Sequence, residues 1–379
     1  MKNLHIITSG IEAQTRPLKI IKTLIDENIF TSVTIVGTND GSLDKVSSLM
    51  DGIRFIGLKR ITNSDGTSSF LTKIFQTLMW YIKVYKFTLS EDNYDCINAH
   101  SLAVLPLCLV IKLRMNALLV YDTHELETET HCSHGFRKII SRLLERILIK
   151  HVDMTTVVSN EIKQWYSESY RINSDVIYNY PAYKQQVQRT GRLRQDLKLN
   201  SNDILFVNQG ALIEGRGIEL LLNVFSKLRN TNNHIIFIGF GSLVGEIKTY
   251  AKTYENIHFH NAVELPELFE LLADADIGIH LMQNTCLNHD YALPNKIFDY
   301  LNTPMPIVVS NLKAMSSIVI KNECGWIVSN EVNDIVALIL EIDAHDIKEK
   351  KNKLLASIKV WEWSTEHTKI VEIYRRLLL

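Results

Sequence analysis

The chain has 379 residues, 46% of them hydrophobic and 22% charged, with a formal net charge of −1 at pH 7. This length exceeds one ordinary core and predicts two domains. The near-zero charge excludes a global field for nucleic acid, although local basic patches stay open. The five cysteines (Cys96, Cys108, Cys132, Cys286 and Cys324) include no CxxC pair and are odd in number, which predicts reduced thiols in a cytosol rather than a disulfide framework.

The opening run, Met1-Lys-Asn-Leu-His-Ile-Ile-Thr8, reads as a strand and is too short for a signal peptide. No stretch reaches the roughly 18 apolar residues of a membrane span. The nearest, Leu102–Ile111, is short and contains Pro106. The expectation is a cytoplasmic protein, peripheral to a membrane at most.

Short apolar runs then alternate with helical patterns. The first series of predicted strands is His5–Thr8, Val33–Gly37, Cys96–Ala99, Leu118–Asp122, Met154–Val158 and Val176–Tyr178. The second is Ile204–Gln209, His234–Gly239, Ile257–His260, Ile277–His280, Ile307–Ser310 and Gly325–Val328. Strands rich in Val, Ile and Leu, separated by helix-length segments, predict parallel sheets covered on both faces. Two series predict two doubly wound α/β domains, with ligands beyond the carboxyl ends of the strands. The boundary falls in the polar stretch after Pro181, which gives domains of 1–182 and 202–357 around a linker at 183–201 with room for a short helix. The closing segment, 358–379, reads as a helix.

Candidate chemistry starts in the first strand-to-helix loop. Gly10 would let a ligand or another chain approach closely. Arg16 either reaches an anionic substrate or is a solvated helix-start residue. The helical segment 71–87 is strongly apolar, and Arg137, Lys138, Arg142, Arg146 and Lys150 mark a basic helix. Together they could face a membrane; a core-packed helix and a solvated face is the simpler reading. His100 lines a ligand site or caps the next helix. Tyr121-Asp122-Thr-His124-Glu125 closes a strand with polar side chains, where substrate contacts belong; helix capping by Asp122 or Thr123 is the plain alternative. The run His131-Cys-Ser-His134 lacks a second ligand pair of matching spacing and reads as a loop, not a metal site.

In the second half, Gly210-Ala-Leu-Ile-Glu-Gly-Arg216-Gly217 joins a strand to an amphipathic helix. Glycines around an arginine let backbone and guanidinium reach a phosphate together; an ordinary loop with a surface arginine is the alternative. Gly239-Phe-Gly241-Ser-Leu-Val-Gly245 puts its third glycine one residue late for a dinucleotide fingerprint, which disfavours an NAD-binding protein. The most informative stretch is Tyr291–Ser310: a loop with Leu293, a short helix opened by Pro294, a turn and a buried strand. The free N–H groups of that first turn, from Asn295 and Lys296 onward, suit a phosphate. Asp299 lies on the face of Asn295, one turn on, where a carboxylate accepts the hydroxyls of a ribose. Phosphate, ribose and a buried α/β framework point to a nucleotide-sugar site.

Taken in order, these motifs resemble those of GT-B-fold retaining glycosyltransferases of the family-4 type. They run from Asp122-Thr-His124-Glu125 through Val157-Val-Ser159, Ile177-Tyr-Asn179, Gln209–Gly217, Gly239-Phe-Gly241 and Ala273–Gly278. They end with Leu293-Pro-Asn-Lys-Ile-Phe-Asp299 and Trp363-Ser. The resemblance implies two doubly wound Rossmann-like parallel-sheet domains facing a cleft, the first binding the acceptor and the second a nucleoside diphosphate sugar, and a final helix crossing back to the first. It implies catalytic roles for His124, Glu125 and Arg216. Donor contacts would come from Gly10, Gly210, Arg216, Gly241, Leu293, Pro294, Asn295, Lys296 and Asp299, with no metal or other cofactor. Arg216 takes the place of the family's lysine, while Ala211 stands where an arginine is frequent. The family's pair of acids falls on Tyr291 and Asp299, so the first is missing here. The expected reaction is glycosyl transfer with retention to a lipid-linked glycan of a bacterial surface polysaccharide. A nucleotide-sugar epimerase and a non-catalytic nucleotide-sugar-binding subunit are the alternatives.

Overall fold

The computed structural model describes residues 1–10, 15–39, 45–59, 70–130, 135–182 and 189–379. They form two compact units, Met1–Tyr178 with Glu366–Leu379, and Asn179–Thr365. The His131–His134 run lies outside the described residues.

In chain order the first unit contains β1 (Lys2–Ile6), α1 (Thr15–Asp26), β2 (Ser32–Asn39), β3 (Lys45–Met50), β4 (Ile53–Lys59) and α2 (Phe70–Leu89). There follow β5 (Cys96–Ala99), α3 (Leu105–Met115), β6 (Leu118–Asp122), α4 (Gly135–Leu148), β7 (Met154–Val157), α5 (Asn160–Tyr170) and β8 (Asp175–Val176). Among the described residues the sheet has eight strands in the order β3-β4-β2-β1-β5-β6-β7-β8. All neighbours are parallel except β3, which pairs antiparallel with β4 at the edge. Neither β3 nor β4 is among the sequence-predicted strands, because β3 (Lys-Val-Ser-Ser-Leu-Met) lacks the apolar continuity of a buried parallel strand.

The strands bury both faces: Leu4, Ile6, Ile35, Ile97, Leu119 and Val157 are all solvent-inaccessible or nearly so. Right-handed crossovers put α2, α3 and α4 on one face of the sheet and α1 on the other. The closing helix α15 (Trp363–Leu378) completes the unit on the α1 side, where Tyr374 meets Phe30 edge to face.

The second unit contains α6 (Arg192–Asp196), β9 (Ile204–Ala211), α7 (Ile218–Lys227), β10 (Asn233–Phe240), α8 (Val244–Thr253), β11 (Ile257–Asn261) and α9 (Leu265–Asp274). It continues with β12 (Ile277–His280), α10 (Leu287–Tyr291), α11 (Asn295–Asn302), β13 (Ile307–Ser310), α12 (Lys313–Asn322), β14 (Gly325–Val328), α13 (Val332–Glu341) and α14 (Ala344–Ser357). The described strands run β11-β10-β9-β12-β13-β14, all parallel. Direction therefore reverses between β9 and β12, the switch point at which such sheets bind ligands. Phe206, Leu221, Phe225, Phe237 and Ile279 fill the core on one face. On the other, Tyr300 of α11 lies flat against β12 because Gly278 has no Cβ; one there would sit 2.3 Å from the ring. Among the described residues no helix is long and apolar enough to cross a membrane.

Candidate functional site

In the second unit the switch point gathers several residues singled out above. Gly210, next to last in β9, has a φ of +103°, a conformation that favours glycine, and a Cβ there would stand 3.8 Å from Lys296 Cε. The end of the lysine side chain therefore lies alongside Gly210, at ordinary contact distance for a Cβ. Lys296 reaches Asn208 Oδ1 at 3.4 Å, and Asn208 is oriented by donating to the Ile279 carbonyl at 2.9 Å. Burial and the neighbouring Arg216 guanidinium push the Lys296 ammonium down to about 7, against the pull of Asp299. Arg216 itself is exposed on the loop before α7, and among the described residues no carboxylate forms an ion pair with it. Asp299 accepts from Gln209 Nε2 at 2.8 Å, which fixes the carboxylate beside the end of β9.

Pro294 is the N-cap of α11 rather than its first helical residue, with extended backbone (φ −60°, ψ 139°) and its carbonyl taking the Ile297 N–H at 3.0 Å. Asn295 then occupies the first helical position, and its Oδ1 accepts from Asn179 Nδ2 at 2.8 Å. Leu293 is half-buried in the loop before the cap. Gly241 follows β10, where an added Cβ would fall 2.2 Å from the Leu212 carbonyl oxygen, so its lack of a side chain serves loop packing. Tyr291 ends α10 with the Lys313 ammonium 5.1 Å over its ring. The neighbouring acid, Asp290, accepts the Lys313 N–H at 2.8 Å and caps α12, so it does not stand in for the missing carboxylate.

His280 was not anticipated. It ends β12 fully buried, and among the described residues neither ring nitrogen has a hydrogen-bond partner. Burial, Lys296 and Arg216 hold it well below the usual histidine range, hence neutral. A neutral imidazole near two cations keeps both the donor and the acceptor capacity of its ring. A polar residue closing an apolar strand was its only signal in the sequence.

The first unit carries a second constellation, at its own switch point between β1 and β5. Arg16 is neither solvated nor free for a substrate: Nη2 lies 2.7 Å from Asp122 Oδ1, and Nη1 donates to the Ile177 carbonyl at 2.6 Å. Burial pushes the Asp122 carboxyl up, but Arg16, His124 and His100 outweigh it and hold it well below the usual carboxylate range. Asp122 therefore does not act as a simple helix cap.

A buried chain of hydrogen bonds leads to Asp122. The Tyr374 hydroxyl donates to Asn98 Oδ1 at 2.9 Å, and Asn98 Nδ2 donates to His5 Nε2 at 2.9 Å. His5 must then carry its proton on Nδ1 and donate to His100 Nε2, 2.8 Å away. His100 in turn donates from Nδ1 to Asp122 Oδ2 at 3.1 Å. His124 Nε2 is also 3.1 Å from Asp122 Oδ2 and is the donor there, leaving Nδ1 as an acceptor on a partly exposed ring. Glu125 is exposed, and its carbonyl takes the Thr123 hydroxyl. Gly10 lies in the loop after β1, with a would-be Cβ at ordinary contact distance from Thr38.

His100, Asp122 and His124 each bring one possible metal-ligand atom within 4.8 Å of the others. The proton order just described places hydrogens on both facing imidazole nitrogens. Asp122 meanwhile accepts from Arg16 and, at 2.7 Å, from the Thr156 hydroxyl. The residues present thus satisfy one another's hydrogen bonds.

The Glycosyltransferase Family 4 model matches residues 33–180, and the Glycosyl transferases group 1 model matches residues 201–344. No curated protein sequence matches the chain. Among solved structures, sucrose-phosphate synthase from Thermosynechococcus elongatus is similar at 14% identity, with a TM-score of 0.77 over 100% of this chain and 99% of that one. Anabaena Alr3699/HepE in complex with UDP and glucose is similar at 14% identity, with a TM-score of 0.69 over 99% and 100% of the two chains. The lipopolysaccharide outer core galactosyltransferase WaaB is similar at 12% identity, with a TM-score of 0.67 over 100% of each. With a family 4 domain in its first unit and a group 1 domain in its second, the chain is a glycosyltransferase of the GT-B fold.

Proposed function

We propose that the protein transfers a glycosyl group, with retention, from a nucleoside diphosphate sugar to an acceptor hydroxyl, and that the acceptor is a lipid-linked glycan for a bacterial surface polysaccharide. The observation that carries the donor half is the gathering of cations at the carboxyl end of β9, where Lys296 lies alongside Gly210 with Arg216 close enough to lower its pKa. Arg216, exposed and outside any ion pair among the described residues, and the buried His280 both act on this lysine's surroundings. A diphosphate supplies the negative charge that these groups lack. That the Anabaena neighbour is bound to UDP and glucose supports this donor class.

In this reading the leaving diphosphate gains charge as the glycosidic bond breaks, and Arg216, Lys296 and the first N–H groups of α11 stabilise that charge where it develops. Asp299 holds the ribose, positioned by Gln209. His124, its Nε2 proton fixed on Asp122, presents Nδ1 as an acceptor for a sugar or acceptor hydroxyl, and exposed Glu125 stands beside it. These groups bear the charge without a metal ion. The enzyme works in the cytoplasm at a membrane surface.

A thermal-shift panel of UDP, GDP and CMP tests the donor reading, since a ligand that binds the native state alone raises its stability. One diphosphate should stabilise the protein, and Arg216→Ala should reduce the shift. Turnover of candidate nucleotide sugars with lipid-linked acceptors, read by the anomeric proton coupling of the product, tests transfer and retention. Normal nucleotide binding with no turnover of any donor would instead favour a non-catalytic subunit. Release of free epimerised sugar and UDP without an acceptor would favour an epimerase.

A further inference from the structure

Helix α4 is inside out. On a surface helix the apolar stripe ordinarily faces the core. Here Phe136, Ile139, Ile140, Leu143, Leu144 and Ile147 recur at helical spacing and are between 39% and 76% exposed. Among the described residues of α4, the buried one is a glutamate, Glu145. Its carboxylate accepts the hydroxyls of Tyr121 and Tyr166 at 2.9 and 2.6 Å and that of Tyr170 at 3.0 Å. Lys138 and Arg142 both pair with Glu129, which lies on the loop beneath. The polar side of α4 thus holds it to the unit, and its apolar side is presented outward.

The neighbouring helices extend this face. α2 turns Ile74, Phe75, Leu78 and Ile82 outward at 41% to 61% exposure, while Gln76, Trp80 and Thr88 lie inward. α3 packs between α2 and α4 and adds exposed Val110 and Leu113. A monomeric surface seldom leaves so many large apolar side chains contiguous without a partner.

Charge selects the partner. The sequences of α2, α3 and α4 hold nine lysines and arginines and a single acid, the inward-facing Glu145, in a chain whose net charge is −1. On α4, Arg137 and Arg146 flank the apolar stripe on opposite sides, both exposed and, among the described residues, outside any ion pair. A second copy of this chain would set those cations against their own kind. An anionic bilayer accepts the apolar stripe among its acyl chains and the flanking cations among its headgroups. We infer that α4, supported by α2 and α3, is the docking face of the enzyme on an anionic lipid surface, with the helix lying in the interface plane. This deepens the proposed lipid-linked acceptor, on which it rests for its purpose though not for its evidence.

Co-sedimentation of the full chain with vesicles of phosphatidylcholine alone, or of phosphatidylcholine with phosphatidylglycerol, tests the inference. Binding should be strong to the anionic vesicles and weak to the neutral ones. The double variant Ile139→Glu/Leu143→Glu should lose it. Arg137→Ala/Arg146→Ala should weaken it by about fivefold per cation removed. Both pairs are exposed, so melting temperature and the nucleotide-induced thermal shift should match wild type. That shift, measured without vesicles, reports the donor site independently. Unchanged binding of Ile139→Glu/Leu143→Glu, or equal binding to neutral vesicles, would overturn the assignment. So would a dimer in light scattering that this variant dissolves while no vesicle binding is seen.

Discussion

Arg16 Nη2 and Asp122 Oδ1 lie 2.7 Å apart, with both side chains almost entirely out of water. Removing one partner of such a pair strands the other as a buried charge. Arg16→Ala should therefore lower stability by about 3–5 kcal/mol, read from urea midpoints. The depressed Asp122 carboxyl contributes stability above its unfolded range, and that stability is lost as pH falls through its lower folded value. Arg16→Ala should flatten that acid limb. A variant with the wild-type midpoint and acid limb would show that the pair is not structural.

Lys296, pushed down to about 7, titrates where nucleotide binding is measured. Below this value the ammonium attracts a diphosphate; above it the neutral amine does not. UDP affinity should fall as pH rises through about 7, with proton uptake on binding in calorimetry across buffers of different ionisation enthalpy. Lys296→Met should bind more weakly and lose that pH dependence. For the free protein the sign is opposite: the unfolded lysine keeps its proton up to its ordinary range, so this group adds stability as pH rises above about 7.

Arg216 is proposed to meet charge that grows on the leaving group. Arg216→Ala should lower kcat by a factor corresponding to about 3–4 kcal/mol, with a smaller change in donor KM. Arg216→Lys should recover part of the loss. A rise in KM with kcat intact would assign the arginine to ground-state binding instead.

Glu127 takes the Leu102 N–H on both carboxylate oxygens, at 2.9 Å each. Burial nonetheless pushes its carboxyl up to about 8, helped by Glu145 and Glu125. Folding takes up a proton here, so this contribution is present below the unfolded carboxylate range and fades as pH rises through about 8. Glu127→Gln should be close to neutral in stability near pH 6 and should flatten the decline toward alkaline pH. A large loss at pH 6 would mean that the carboxylate is needed in its charged form.

What the sequence made legible was local. Continuous apolar strands, Gly210 at a strand end and the Pro294–Asp299 helix opening each declare themselves within a few residues, because backbone geometry and helix ends are short-range matters. What stayed hidden was set by long-range pairing. Nothing near Arg16 announces that it ends on a carboxylate 106 positions away, nor that Tyr374 reaches Asn98 across 276. The edge strand β3 lacks the apolar run that marks a central strand. The cations of Arg137–Lys150 suggested a solvated face, and period alone cannot say which side of an amphipathic helix the protein keeps. The inward carboxylate of Glu145 settles that, and it depends on three tyrosines from β6 and α5.

The hydrogen-bond chain from Tyr374 to Asp122 also sets an order of events in synthesis. Domains commonly fold one after another as the chain leaves the ribosome. Here the residues through Tyr178 emerge early, but Glu366–Leu379, which complete their unit, follow the whole of Asn179–Thr365. Until Tyr374 arrives, Asn98 Oδ1 waits without its donor and Phe30 without its aromatic neighbour. The hydrogen-bond chain to Asp122, on which His124 rests, is therefore finished only after the whole second unit has been made.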